Sequence, residues 1–242
     1  MTGIGIFGAD GRMGLAIAAV AERMGVVIAG RGDAGCDPAA VAAAADVLID
    51  FSVPAALEAN LKAARGAGKP ILIGTTGLDA AHHAMIDAAA AEIAVLQTGN
   101  TSLGVTLLTD LVRQAAARLG EGWDIEIVEA HHSAKRDAPS GTALMLGEAA
   151  AEGRGTTLAE VGVTGRAGLT GERVAGTVGF ASVRGGSIPG DHSVIIAGPD
   201  EVIELNHRAY DRTIFARGAV RGAVWLTGKA AGRYTMQDVL AR

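Results

Sequence analysis

Residues 129–144 read EAHHSAKRDAPSGTAL, so two adjacent histidines, a lysine and a Ser-Gly-Thr step share one short segment. An imidazole exchanges protons near neutral pH, and a desolvated ammonium can donate a proton while still attracting an anion. Lys135 stands out because the chain has only four lysines, the others being Lys62, Lys69 and Lys229, and otherwise takes its positive charge from arginine. His131 and His132 follow the apolar alternating run Trp123 to Glu129, which reads as a strand; they therefore belong at its C-terminal end, where α/β active sites open. Adjacent strand residues face opposite ways, which gives the two imidazoles different tasks. Asp137, Ala138, Pro139 and Ser140 then lead into a helical run from Thr142 to Glu152. Ser140 suits its N-cap, Gly141 leaves the backbone accessible, and the helix start offers N–H groups to an anion.

Such a segment needs a scaffold, and the N-terminus supplies one. Gly3 to Phe7 is a short apolar strand ending in GADGRMG, residues 8–14, before a helical run from Leu15 to Met24. Gly8, Gly11 and Gly14 have the spacing that lets a chain turn tightly, admit a pyrophosphate to a helix start and pack that helix on the strand. A second strand, Val26 to Ala29, runs into Gly30, Arg31, Gly32 and Asp33, where such folds choose between a ribose hydroxyl and a 2′-phosphate. Arg31 leans toward NADPH, whereas Asp33 leaves NADH open. Strands at Val47 to Phe51 and Ile71 to Ile73 flank an alanine-rich helix from Pro54 to Ala67, and a fifth strand covers Ile93 to Gln97. Asp50-Phe51-Ser52, Gly74-Thr75-Thr76-Gly77 and Thr98-Gly99-Asn100-Thr101 close these strands with small polar residues suited to a ribose or nicotinamide. The repeated β-α units imply a Rossmann-type, doubly wound parallel sheet.

Beyond residue 102 the pattern changes. A helix from Gly104 to Leu119 precedes the strand before the histidines, and short alternating strands follow at 160–165, 175–183, 192–197 and 201–208. They describe a second, α+β domain with an open mixed sheet. The apolar helix Ile214 to Lys229 returns to the nucleotide domain. The expected division is therefore 1–102 with 212–242 for dinucleotide binding, and 103–211 for substrate binding and oligomerisation. RGGSIPGDH, residues 184–192, reads as a turn carrying Arg184, Asp191 and His192.

Composition excludes several other classes. The 242 residues are 49% hydrophobic, enough for two modest cores, and the single cysteine, Cys36, rules out a disulfide framework. No paired Cys/His spacing calls for a metal. No apolar run approaches the roughly 20 residues of a membrane span, and Met1 leads directly into the first strand without a signal peptide. The expectation is a soluble cytoplasmic protein with no membrane partner. A net charge of −5 and 3% aromatic residues also argue against nucleic acid as a partner.

Taken together, GADGRMG, DFSVP at 50–54, GTTG at 74–77, EAHHSAKRDAPSGTAL, VRGG, GDH and FARGAVRGAVWLTGK at 215–229 resemble the bacterial dihydrodipicolinate reductases, the 4-hydroxy-tetrahydrodipicolinate reductases of lysine and diaminopimelate biosynthesis. The resemblance covers nearly the whole chain; HHxxKxDAPSGTA is its specific part, while the glycine loop is shared with many dehydrogenases. It implies reduction of a cyclic unsaturated dicarboxylate by NADPH or NADH in a homotetramer built through the substrate-domain sheets. It also implies His131 as the acid/base histidine, Lys135 as proton donor, and His132, Ser140, Gly141 and Thr142 as substrate ligands. Cofactor contacts are implied for Gly8, Ala9, Asp10, Gly11, Arg12, Met13, Gly14, Arg31, Gly74, Thr75, Thr76, Thr98, Gly99, Asn100 and Thr101. Two departures mark this chain: Arg31-Gly32 stands where many relatives have an acidic residue followed by arginine, and Thr101 replaces an aromatic residue. A related amino-acid dehydrogenase of the aspartate dehydrogenase type would explain the glycine loop but not the SGTA step with the double histidine. A non-catalytic NAD(P)-binding oligomeric protein would have no need of Lys135.

Overall fold

Short, fully apolar strands with alanine-rich helices between them can bury both faces of a sheet, which is the requirement of an all-parallel α/β layer. A computed structural model, describing residues 1–241, has this layer in the first of two compact units, formed by Met1–Leu103 together with the chain from Thr213. Its strands are β1 (Gly3–Phe7), β2 (Val27–Gly32), β3 (Val47–Asp50), β4 (Ile71–Ile73) and β5 (Ala94–Gln97). A sixth, β11 (Gly232–Tyr234), comes from the end of the chain; the sheet order is β11-β5-β4-β3-β1-β2, and every neighbouring pair is parallel. The helices are α1 (Arg12–Arg23), α2 (Pro38–Ala44), α3 (Leu57–Gly66, after a 3₁₀ turn at Pro54–Ala56), α4 (Ala80–Ala90), α8 (Thr213–Leu226) and α9 (Met236–Leu240).

Two apolar clusters fill the faces of this sheet. One joins Ile4, Ile6, Ile17 and Leu96 to Ala216, Ala219 and Ala223 of α8; the other joins Leu48, Ile71, Ile73 and Val95 to α2, α3 and α4. Each fully buried Ile or Leu contributes on the order of 1.5–3 kcal/mol. Small residues let α8 lie close: a Cβ on Gly218 would stand 1.7 Å from the Thr101 carbonyl oxygen, and one on Gly222 2.8 Å from Leu72 Cδ1. The chain passes from β1 to β2 on one side and to β3 on the other, so the sheet's switch point lies at the C-terminal end of β1.

The second unit, Gly104–Arg212, is a mixed sheet under two long helices, α5 (Leu103–Leu119) and α6 (Gly141–Gly153). The strands are β6 (Asp124–His131), β7 (Gly162–Val163), β8 (Val178–Arg184), β9 (Asp191–Ala197) and β10 (Val202–Arg208), in the order β10-β9-β6-β8-β7. β6 pairs parallel with β8 and antiparallel with β9. Its burial alternates strictly: Ile125 and Ile127 join Val178, Phe180, Val194 and Ile196 in a core with α5 and α6, while Val128 and Ala130 point to the other face.

Several boundaries differ from the sequence expectations. β2 continues to Gly32 because Arg31 and Gly32 pair with Ile6 and Phe7, so Arg31 is a strand residue and Asp33 is the first residue beyond it. The expected strand at 160–165 is shorter: residues 160 and 161 end a helical turn, α7 (Leu158–Val161), which carries a capping box between Thr157 and Glu160, and only Gly162–Val163 pairs with β8. Arg184 and Asp191 belong to strand ends and not to the turn, and His192 lies at the start of a strand as expected, since His131 pairs with Arg184 and Glu129 with His192.

Candidate active site

His131 is the last residue of β6 and lies on its buried face, two positions after Glu129. Residues so spaced share a face, and His131 Nδ1 lies 2.5 Å from Glu129 Oε2. Glu129 is 1% exposed and accepts both guanidinium nitrogens of Arg184, at 2.9 and 2.7 Å. Burial pushes the Glu129 carboxyl upward, but hydrogen bonds from Arg184, Ser182 and His131 outweigh it and hold its pKa at about 2. The carboxylate is therefore ionised throughout the working pH range. The Arg184 guanidinium also donates to the main-chain oxygen of Asp137 at 2.6 Å. One side chain thus braces the carboxylate beside His131 and the loop that carries Lys135.

A third histidine completes this corner. His192 packs edge-on against His131 with ring centroids 5.1 Å apart, and its Nε2 lies 3.1 Å from Ser140 Oγ. Burial, reinforced by the neighbouring His131, lowers its pKa to about 4, so it is neutral at physiological pH. Ser140 is buried and caps α6 by accepting from the Ala143 amide at 3.2 Å. The next residue, Gly141, stands in the open, since a Cβ there would meet nothing within 4 Å. The start of α6 is thus rigid at the cap and accessible just beyond it, with Thr142 in its first turn.

Lys135 and His132 occupy the rim. The Lys135 ammonium is held by both carboxylate oxygens of Asp137, at 2.9 and 2.8 Å, and Lys135 keeps the Asp137 carboxyl below its ordinary range. His132 Nε2 lies 3.2 Å from an Arg212 guanidinium nitrogen, in a cleft of about 400 Å³ lined also by Ser187, Pro189, Tyr210 and Asp211. The two histidines thus have different surroundings, one buried against a carboxylate and one on a cationic rim.

In the first unit, the C-terminal ends of β1, β2 and β3 border a cavity of about 600 Å³ lined by Gly8, Asp10, Gly11, Asp33, Cys36, Phe51, Ser52 and Asn60 among others. Gly8 has φ +75°, and a Cβ there would meet the Phe51 carbonyl oxygen at 2.6 Å; one on Gly14 would meet the Gly8 carbonyl oxygen at 2.2 Å. The loop therefore requires glycine for its turn and for close helix approach. No side chain caps α1, whose first turn holds Arg12 and Met13, so its N–H groups remain for an anion. Asp33 accepts the Asp10 amide at 2.8 Å, and the Asp10 and Ala34 amides hold its carboxyl below the ordinary range. Arg31 is engaged elsewhere: it donates to the Ala9 carbonyl at 3.0 Å and lies 3.4 Å from the Asp10 carboxylate.

The remaining positions named from the sequence lie at the ends of β4 and β5, outside the lining of that cavity. Gly74 packs under the Phe51 ring, and Thr75 hydrogen-bonds the buried Asp50 carboxylate. Thr76 follows in the same turn. Thr98, Gly99 and Asn100 form a tight turn in which Thr98 Oγ donates to the Asn100 oxygen at 2.8 Å. Thr101 is buried and donates to the Phe215 carbonyl at 2.7 Å. This hydroxyl ties the segment after β5 to α8.

Comparison with known proteins decides the family. Residues 2–101 match the family model described as dihydrodipicolinate reductase, N-terminus, and residues 104–240 match dihydrodipicolinate reductase, C-terminus. The chain belongs to the dihydrodipicolinate reductase family. Among curated relatives, the 4-hydroxy-tetrahydrodipicolinate reductase of Zymomonas mobilis subsp. mobilis is 53% identical over 244 residues, covering 98% of this chain and 96% of the relative. That of Caulobacter vibrioides is 54% identical over 247 residues, with the same coverage. A dipicolinate-bound dihydrodipicolinate reductase from Paenisporosarcina sp. TG-14 has the same fold, with TM-score 0.77, 18% identity and 97% of each chain covered.

Within this dihydrodipicolinate reductase fold, the sequence reading missed the residues around His131. Glu129 was visible, lying two places upstream on an alternating strand. The sequence does not show that Arg184 and His192 stand beside His131, because the register that brings their strands next to β6 is not encoded locally.

Proposed function

We propose that this chain is a 4-hydroxy-tetrahydrodipicolinate reductase, which reduces its cyclic dicarboxylate substrate to tetrahydrodipicolinate with NADH or NADPH in lysine and diaminopimelate biosynthesis. The observation that carries this reading is 53% and 54% identity, over 98% of the chain, to two proteins of that name. An aspartate dehydrogenase-type enzyme or a non-catalytic nucleotide-binding protein is not favoured by either family match.

The glycine cradle fits a dinucleotide: Gly8 and Gly14 leave space that a Cβ would fill, and the uncapped start of α1 suits a pyrophosphate. Gly8 to Gly14 would hold the phosphates, with Gly74 to Thr76 and Thr98 to Thr101 on the ribose and nicotinamide side. NAD(P)H supplies a hydride when bound. In the second unit, the amides at Gly141 and Thr142, under the Ser140 cap, receive one carboxylate, and His132 beside Arg212 receives anionic charge on the rim. The 4-hydroxyl leaves as water to give the conjugated imine, and hydride addition to that imine builds electron density at the far end of the system, which then takes a proton. Lys135 donates it after leaving Asp137 for the anionic substrate, and His131 serves as the acid/base group on the buried side.

For the cofactor, Asp33 is the acidic residue beyond β2, and it lines the cavity that Arg31 does not. This supports use of NADH, with a 2′-phosphate disfavoured by Asp33, and recasts Arg31 as a brace of the glycine loop. A homotetramer is supported by the second unit's sheet, whose face opposite α5 and α6 carries exposed Val183 and Val202. No helix among the described residues is long and apolar enough to cross a membrane, and we place the enzyme in the cytoplasm, where its nucleotide substrate is found. The test is NAD(P)H oxidation after adding the condensation product of pyruvate and aspartate semialdehyde. Rapid oxidation is expected; nucleotide binding without turnover would falsify the reading.

A further inference from the structure

We infer that Glu129 is a positioning residue of the reaction: braced by Arg184, its carboxylate holds the Nδ1 edge of His131 and leaves Nε2 as the nitrogen available for proton transfer. This rests on the reading of His131 as the acid/base group. Glu129 and His131 share the buried face of β6, 2.5 Å apart at Oε2 and Nδ1. Ionised carboxylates accept hydrogen bonds only, so the proton between them belongs to Nδ1, and a neutral His131 carries its lone pair on Nε2. Removing a carboxylate from water is unfavourable unless an opposite charge accompanies it, and Arg184 does so with two hydrogen bonds. A surface glutamate would meet a structural need for a strand residue equally well. A buried one, ionised and aimed at an imidazole, is the arrangement by which a carboxylate fixes a tautomer and ring orientation.

The other edge of the ring is kept clear. Gly190, with φ +155°, faces it, and a Cβ there would lie 3.1 Å from His131 Nε2. On the remaining side His192 packs edge-on with its Nε2 on Ser140, so Glu129 is the carboxylate that meets the His131 ring. Arg184 adds a second constraint through the Asp137 carbonyl, which fixes the main chain two residues beyond Lys135. The acid/base histidine and the lysine loop are therefore set by one guanidinium.

The test combines kinetics with the state of the ring. In Glu129→Gln, kcat should fall on the order of 10- to 100-fold, a part of the roughly 10²–10⁴ that general acid–base groups supply, with KM within about 2-fold. The groups facing His131 are Glu129 on its own strand, Arg184 on β8 and His192 on β9, with Asp191 and His207 beside His192. Loss of the anion leaves Arg184 as the charge beside the ring, so the pH–rate profile of the variant should differ from that of the unsubstituted enzyme. Glu129→Asp, which keeps the charge, should recover part of kcat. Nitrogen-15 NMR of the unsubstituted enzyme should find the neutral His131 protonated on Nδ1, a readout that needs neither turnover nor a variant that folds. A proton on Nε2 overturns the inference, as does Glu129→Gln with unchanged kcat and pH profile. Absence of turnover in the unsubstituted enzyme instead overturns the reductase reading and leaves the tautomer measurement to decide the carboxylate's role.

Discussion

The glycine loop and the histidine corner do their work with different materials. At the end of β1 the proposed ligands are backbone amides of the loop that Gly8, Gly11 and Gly14 turn, and the charged side chains of Arg31 and Asp33 hold that loop. At the end of β6 the proposed groups are side chains, and charges on β6 and β8 together with the neutral His192 ring of β9 set how His131 stands. A backbone site depends mainly on space; a side-chain site depends on space and on charge, since a Cβ on Gly190 would lie 3.1 Å from His131 Nε2. In the first unit Arg31 braces the glycine loop through the Ala9 carbonyl, whereas in the second His131 stands beside an ionised carboxylate.

The contrast can be broken most sharply in the second unit. Lys135→Ala should reduce kcat by more than about 100-fold with nucleotide affinity unchanged, measured by steady-state kinetics beside a fluorescence titration. Near-wild-type turnover would remove Lys135 from its role. On the backbone side, Gly14→Ala places a methyl group against the Gly8 carbonyl oxygen at 2.2 Å and should destabilise the fold by roughly 1–3 kcal/mol while weakening NADH and NADPH alike. Thermal melts and titrations with both nucleotides check it; unchanged affinity would show that the cradle is not needed.

Acid stability separates the side-chain network from the loop. His192 has a pKa lowered to about 4 against 6.5 for the free side chain, so the unfolded chain binds its proton first as pH falls. Stability from this neutral imidazole is complete above about pH 6.5 and declines as pH falls through about 4; Glu129 adds a second decline between about 4.5 and 2. His192→Asn should flatten the upper part of the acid-denaturation curve, and an unaltered slope would contradict the assigned burial. The smallest effect is expected for Arg31→Ala, a loss of a few-fold in affinity shared equally by NADH and NADPH. A loss confined to NADPH would restore Arg31 to 2′-phosphate recognition.

The same difference in materials governs what could be read before the structure. Glycine spacing is local, so GADGRMG announced strand, turn and helix, and Ser140 announced the start of α6. Alternation from Trp123 onward located β6, because its two faces meet different surroundings. The end of β2 was misjudged because Gly30-Arg31-Gly32 looks like a turn, although pairing with Ile6 and Phe7 keeps it extended. Strand β11 is only three residues long and owes its existence to β5 beside it. The contacts of Arg184 and His192 are not legible in the sequence for the same reason: their partners lie more than 50 residues away in the chain, at Glu129 and Ser140.

The most direct measurement follows deuterium from NADH labelled at the transferring position of its nicotinamide. With the condensation product of pyruvate and aspartate semialdehyde as substrate, one deuterium should appear in tetrahydrodipicolinate for each nucleotide oxidised. Nucleotide oxidation with no deuterium in the product, or bound nucleotide left unconsumed, would contradict the assignment of this fold to that reduction.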